Sequence, residues 1–237
     1  MENIEKQPYL PLSKTLLVLI GLPVISTLIS LLLLKKSLFT NAGLDFFSTF
    51  WLIITGWYIL QIWIIAKVLK TSGWSWKNIG FSHSKKQVIY LISGYLIFAV
   101  CLLIFIEMAL ADAGLDPEKL KSLSDLSNLT PKTTTERIIF IAMGLVAGLS
   151  EEFTYRGFAI RALESYRINK WLAVILAAVP FIFQHGLKSV NQFWWFLIWG
   201  LVFGVLFLLT KKLYINIILH WLVILSAMVA ILQVLDK

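Results

Sequence analysis

Long apolar runs alternate with short polar, mostly basic punctuation along the whole chain. The first run extends from Lys14 to Leu34 and is closed by Lys35-Lys36. It has the roughly 20 residues that a bilayer requires. It is too long for a signal core, and no small-x-small cleavage pattern follows it, so it predicts a first transmembrane helix. Phe46 to Ala66 predicts a second span. Lys67 to Lys86 then forms a basic loop, whose Trp74 and Trp76 are expected at headgroup level. Gln87 to Ala111 predicts a third span. The longest polar connection, Asp112 to Thr135, carries Leu120, Leu123 and Leu126 at weak amphipathic spacing, which fits a segment lying along the interface. Thr130-Pro131, with Thr133, Thr134 and Thr135 behind it, marks a helix start. A fourth span opens near Glu136 and continues to about Glu164. Trp171 to His185 is the fifth, interrupted by Pro180; Gln192 to Leu209 is the sixth and Leu213 to Val234 the seventh. Small residues at Gly144, Ala147 and Gly148, and again at Gly200 and Gly204, would let helices approach closely. The pattern predicts an all-α polytopic membrane bundle of about seven transmembrane helices. Residues 1–134 hold three spans and the interfacial linker, and residues 135–237 hold a core of four.

Composition sharpens this picture. Of 237 residues, 59% are hydrophobic and 14% charged, and the mean hydropathy of +0.82 excludes an ordinary soluble domain. The formal charge is +8. With seven spans, most basic residues fall on the N-terminal side, which places the N-terminus in the cytoplasm; the compact length fits a bacterial plasma-membrane protein. The basic residues form no long run and no nucleic-acid motif, so nucleic acid is not an expected partner. A single cysteine, Cys101, leaves neither an intrachain disulfide nor a cysteine-based metal site.

One stretch, Ser150-Glu151-Glu152-Phe153-Thr154-Tyr155-Arg156-Gly157, stands against the apolar pattern. Charges at membrane depth cost about 2.5–3.5 kcal/mol each on insertion scales, so such groups pair with one another or serve a purpose. Neighbouring residues of a helix point about 100° apart, so Glu151 and Glu152 cannot share a face. Arg156 follows Glu152 by one helical turn, which favours a Glu152–Arg156 pair and leaves Glu151 free. A carboxylate freed in this way can accept and return protons. Two of the three histidines, His185 and His220, also lie in apolar runs, whereas His83 sits among lysines. Singly, each has a plainer reading: a helix–helix hydrogen bond for a histidine, an interfacial ion pair for the acids and arginine. Together, an acidic motif and two histidines on three spans can converge on one polar site around a water, with or without a metal. The depths are uneven, because His185 lies about fifteen residues into its run and His220 about eight. Glu107 reads as an acid at a helix end, and Arg161 and Arg167 as interface anchors. No His-Glu-x-x-His and no Gly-x-Ser-x-Gly is present.

The ordered set of motifs resembles the family that unites CAAX prenyl proteases of the Ras-converting type with bacteriocin-processing and bacteriocin-immunity (Abi) proteins, the CPBP family. The matching residues are Glu151-Glu152-Phe153-Thr154-Tyr155-Arg156, then Phe181-Ile182-Phe183-Gln184-His185, then His220, across about residues 135–225. The resemblance implies an intramembrane endopeptidase. In it, Glu151 activates water, His185 helps to hold that water or a metal, His220 faces the developing oxyanion, and Glu152 and Arg156 support them. Glu151, His185 and His220 would be the ligands if zinc were used, since Glu and His suit that metal; a metal-free glutamate mechanism is the alternative. The family's polar residue four positions after the last histidine is replaced by Ile224, which donates no hydrogen bond. Asn216, one turn before His220, is a candidate substitute.

Three functions are therefore open. The first is cleavage of a membrane-associated, optionally prenylated, protein or peptide at the bilayer. The second, motivated by Ile224, is a catalytically inactive member acting in bacteriocin immunity or as a membrane scaffold. The third is a proton-coupled carrier, which ranks last because the chain shows no repeated pair of broken helices. The substrate, the metal and the oligomeric state are not written in the sequence.

Overall fold

A computed structural model describes residues 9–81, 89, 93, 131, 133–186, 190 and 192–235, with side chains to residue 224. The third expected span, the interfacial segment, His83, Cys101 and Glu107 lie outside the described residues. Every regular element within them is helical.

Helix α1 (Leu12–Leu33) is followed by a short α2 (Lys36–Thr40) and by α3 (Phe46–Thr71). Helix α4 (Thr134–Ser165) carries the acidic motif; α5 (Lys170–Phe183), α6 (Phe193–Thr210) and α7 (Leu213–Leu235) follow. Helices α1, α3, α4 and α6 are long and apolar enough to cross a membrane. Helix α4 is the centre of the bundle: 56% of its apolar window is buried, against 22% to 28% in the other three. Its start is fixed locally. The Thr133 side chain accepts from the Glu136 backbone N–H while the Glu136 carboxylate accepts from the Thr133 N–H, a reciprocal cap.

Small residues set the helix spacing as expected. Gly144 faces Ile224 and Gly148 faces Trp221, so α7 lies close on α4. A Cβ at Gly204 would come within 2.5 Å of Val174, and one at Gly200 within 3.0 Å of Ala178, so these glycines seat α6 on α5.

Four expectations are corrected. The helix of the second span continues to Thr71, because Lys67 and Lys70 prolong it without a breaker. Trp74 is not at the headgroups. It is 4% exposed, and with the fully buried Ile79 it joins the main core, because the turn after α3 folds back into the bundle. Gly80, at φ 86°, accepts from the Leu213 N–H at 2.9 Å and fastens that turn to the start of α7. Pro180 does not interrupt α5; it lies in the last turn, and the helix runs three residues past it to end at Phe183, two residues before His185. Arg161 is not a free anchor: it pairs with Glu164 at 2.8 Å and lies over the Phe207 ring.

Candidate active site

The acidic motif is not plain α-helix. From Glu152 to Ala159 the backbone is π-helical, set between α-helical turns on both sides. Such segments are rare and concentrate at functional sites. Here all eight residues are buried. Gly157 makes this tolerable, because a Cβ there would meet Leu213 at 2.9 Å and Ile79 at 3.2 Å.

Glu151, 3% exposed, is met by residues of α3, of the turn after α5 and of α7. The Tyr58 hydroxyl of α3 donates to its Oε1 at 2.7 Å. His185 Nε2 lies 3.5 Å from the same oxygen, and His220 Nε2 lies 3.5 Å from Oε2. The uneven depths of the two histidines are thus resolved: the turn after α5 carries His185 to the level of His220 on α7. Gly186, at φ 72°, makes that turn and backs onto Ser30 of α1, where a side chain would collide.

Each imidazole is oriented by what its Nδ1 touches. His185 Nδ1 is 2.9 Å from the Phe181 carbonyl, which can only accept, so Nδ1 carries the hydrogen. In the neutral ring, Nε2 is then an acceptor facing another acceptor, Glu151 Oε1. Glu151 Oε1 accepts from the Tyr58 hydroxyl, and His185 Nε2 can accept a hydrogen from a water or substrate group. His220 Nδ1 lies 2.9 Å from Glu152 Oε1, so the second carboxylate fixes the second imidazole. Aromatic faces hold both rings: His185 stacks on Phe196 at 4.0 Å between centroids and His220 on Phe203 at 5.2 Å.

Glu152 and Arg156 form the pair that the spacing predicts, with Nη1 and Oε1 3.3 Å apart and both residues almost wholly buried. Arg156 also donates to the Trp199 carbonyl at 3.2 Å, and its guanidinium lies 4.1 Å from the Phe181 ring centre. The pair links the acidic motif to α5 and α6, and through His220 to α7. Behind Glu151 runs a further polar line. The Ser150 hydroxyl bonds to Gln61, and Gln61 and Trp57 both donate to Ser26.

The cluster borders a cavity of about 410 Å³ lined by aromatic and aliphatic side chains, with Glu151, His185, His220 and Ile224 in its wall. A smaller cavity of about 170 Å³ meets it along Tyr58, His185 and Phe196. Asn216 is not a substitute for the missing polar residue. It is fully buried, and its amide donates to the Phe203 carbonyl at 2.7 Å. Tyr58 and Gln61 escaped the sequence reading. The signal for them was two polar groups three residues apart, hence on one face, in an otherwise apolar span.

Among the described residues, no group of three His, Cys, Asp or Glu side chains is arranged to hold a metal ion. Glu151, His185 and His220 are the donors a metal would use. The Nδ1 contacts of His185 and His220 leave both Nε2 atoms directed at Glu151, and Tyr58 bonds only one of its two oxygens.

No curated protein and no solved structure gives a significant match to this chain. A family model does: residues 133–225 match the family described as type II CAAX prenyl endopeptidase, Rce1-like. That stretch begins at the cap of α4 and ends within α7, and it contains Glu151, Glu152, Arg156, His185 and His220. Over those residues the chain is similar to the Rce1-like proteases, and the stretch is set in a bundle of membrane-type helices.

Proposed function

We propose that the protein is an intramembrane endopeptidase that hydrolyses a peptide bond of a membrane-associated protein or peptide, a prenylated one included. The observation that carries this reading is the Glu151 carboxylate: buried, on a cavity wall, and 3.5 Å from the Nε2 atoms of both His185 and His220. Glu151 and His185 together hold the water by its two hydrogens. Glu151 takes one proton as the water oxygen attacks the carbonyl carbon, and later gives it to the leaving amine. His220, held by Glu152, faces the developing oxyanion. Glu152 and Arg156 keep that imidazole in place. These steps use no metal; zinc held by Glu151, His185 and His220 is the alternative. The N-terminus is assigned to the cytoplasm, from the distribution of basic residues.

The test uses the purified full-length protein in liposomes, with a panel of farnesylated CAAX peptides and unprenylated membrane peptides. Cleavage by the wild type, reduced about 10²–10⁴-fold by Glu151→Gln, is the expected result. Unchanged rates with a chelator would support the metal-free route; a loss restored by zinc would replace it. No cleavage across the panel, with a Glu151→Gln protein that still supports its cellular role, would leave the immunity or scaffold reading in its place.

A further inference from the structure

We infer that Tyr58 is a catalytic residue: its hydroxyl supplies the hydrogen bond to the oxyanion that Ile224 cannot. The inference rests on the protease reading above and names a residue outside the Rce1-like stretch, on α3.

Hydrolysis of an amide needs donors aimed where charge develops, not where it resides in the substrate. Ile224 lies in the wall of the active-site cavity and has nothing to give. Asn216 has its amide committed to the Phe203 carbonyl. Arg156 is held by Glu152 and the Trp199 carbonyl. Tyr58 is placed differently. It is 8% exposed, it lines both cavities, and its hydroxyl touches the reacting carboxylate at 2.7 Å. Its ring is fixed by packing with Met143 and Ala147 of α4, so the oxygen is fixed as well.

The bond to Glu151 is also what makes Tyr58 available at the right moment. A phenol bonds more strongly to an ionised carboxylate than to a neutral acid. When Glu151 takes the water's proton, it becomes a weaker acceptor. In the same step the water oxygen bonds to the carbonyl carbon, and the carbonyl π pair moves to its oxygen. The negative charge has thus moved from Glu151 to the oxyanion. The Tyr58 O–H follows it by rotation about one C–O bond, with no movement of the ring. When the intermediate collapses, the C=O reforms, the C–N bond breaks, and Glu151 protonates the leaving nitrogen. Tyr58 keeps its proton throughout and swings back to the restored carboxylate. His220 lies at the other oxygen of Glu151.

The experiment compares wild type, Tyr58→Phe, Ile224→Asn and the double variant in liposomes, on a quenched fluorescent farnesylated peptide. Tyr58→Phe removes one oxygen and leaves the packing, and an unchanged melting temperature verifies that. The expected result is a fall in kcat of about 10²–10³-fold with KM within twofold, the cost of one oxyanion donor. Ile224→Asn in the Tyr58→Phe background should restore at least about tenfold, because it supplies a donor next to His220. A Tyr58→Phe enzyme within threefold of wild type would overturn the inference and leave the protease reading intact. A large loss without rescue would make Tyr58 a positioning residue for Glu151, which overturns the oxyanion role. Inactive wild type would overturn the protease reading, and Tyr58 with it.

Discussion

At the scale of residues, the site is a chain of contacts: Arg156 to Glu152, Glu152 to His220, His220 to Glu151. Each member holds the next, so the cost of removing one depends on its place. Arg156→Met leaves Glu152 as a buried carboxylate without its cation, and breaking such a pair costs about 3–5 kcal/mol. The expected outcome is a lower melting temperature in detergent, followed by tryptophan fluorescence. Glu151→Gln should melt near wild type, since Gln can still accept from Tyr58. A destabilisation of Glu151→Gln equal to that of Arg156→Met would contradict this division of roles. The Glu152–Arg156 contact was legible because both residues sit on one helix, where spacing sets proximity. Tyr58 on Glu151 was not, because 93 residues separate them and only packing brings α3 to α4. Asn216 misled for a related reason: its helical position was right, but the neighbouring Phe203 carbonyl claimed its amide.

At the scale of elements, the apolar runs fixed where helices lie but not what kind of turn they contain. The π segment from Glu152 to Ala159 leaves no mark in hydropathy; Gly157 within it admits the close approach of Ile79 and Leu213. The buried Trp74 shows the same limit: an aromatic in a basic loop reads as an interface residue until the turn is seen to fold inward. Helix ends were more legible, as the cap at Thr133 shows. The cap of α3 yields a pH prediction. Asp45 accepts from the Ser48 backbone N–H at 2.7 Å, and that bond, first among its causes, holds the carboxyl below its usual range. A depressed value in the folded state means that the contribution is full above the unfolded value of about 3.9 and fades as pH falls through the folded one. The difference in melting temperature between wild type and Asp45→Asn should therefore be positive but small near neutral pH, as Asp45 is exposed, and should shrink towards zero in acid. A difference that grows on acidification would refute the assignment.

At the scale of the whole molecule, α4 organises the bundle, and the residues that meet Glu151 come from α3, from the turn after α5 and from α7, all packed against it. The centrality of α4 was readable, because a membrane helix with two acids and an arginine has to be surrounded by protein. The extent of α5 was not, because the apolar run continues towards His185 while the helix stops at Phe183. That early stop has a consequence for the lipid. Fourteen residues of helix reach only about 21 Å at 1.5 Å per residue, and a hydrocarbon core is about 30 Å thick. The chain turns at Gly186, and irregular backbone at membrane depth is stable only against protein or a wet cavity. Helix α5 is shorter than an average hydrocarbon core, and a thinner bilayer would match it better. Peptide cleavage in vesicles of graded acyl-chain length should be fastest in the thinner bilayers and fall as the chains lengthen; a flat profile would exclude this coupling. The thickness of the surrounding lipid would then act as a rheostat on the site, set by one short helix.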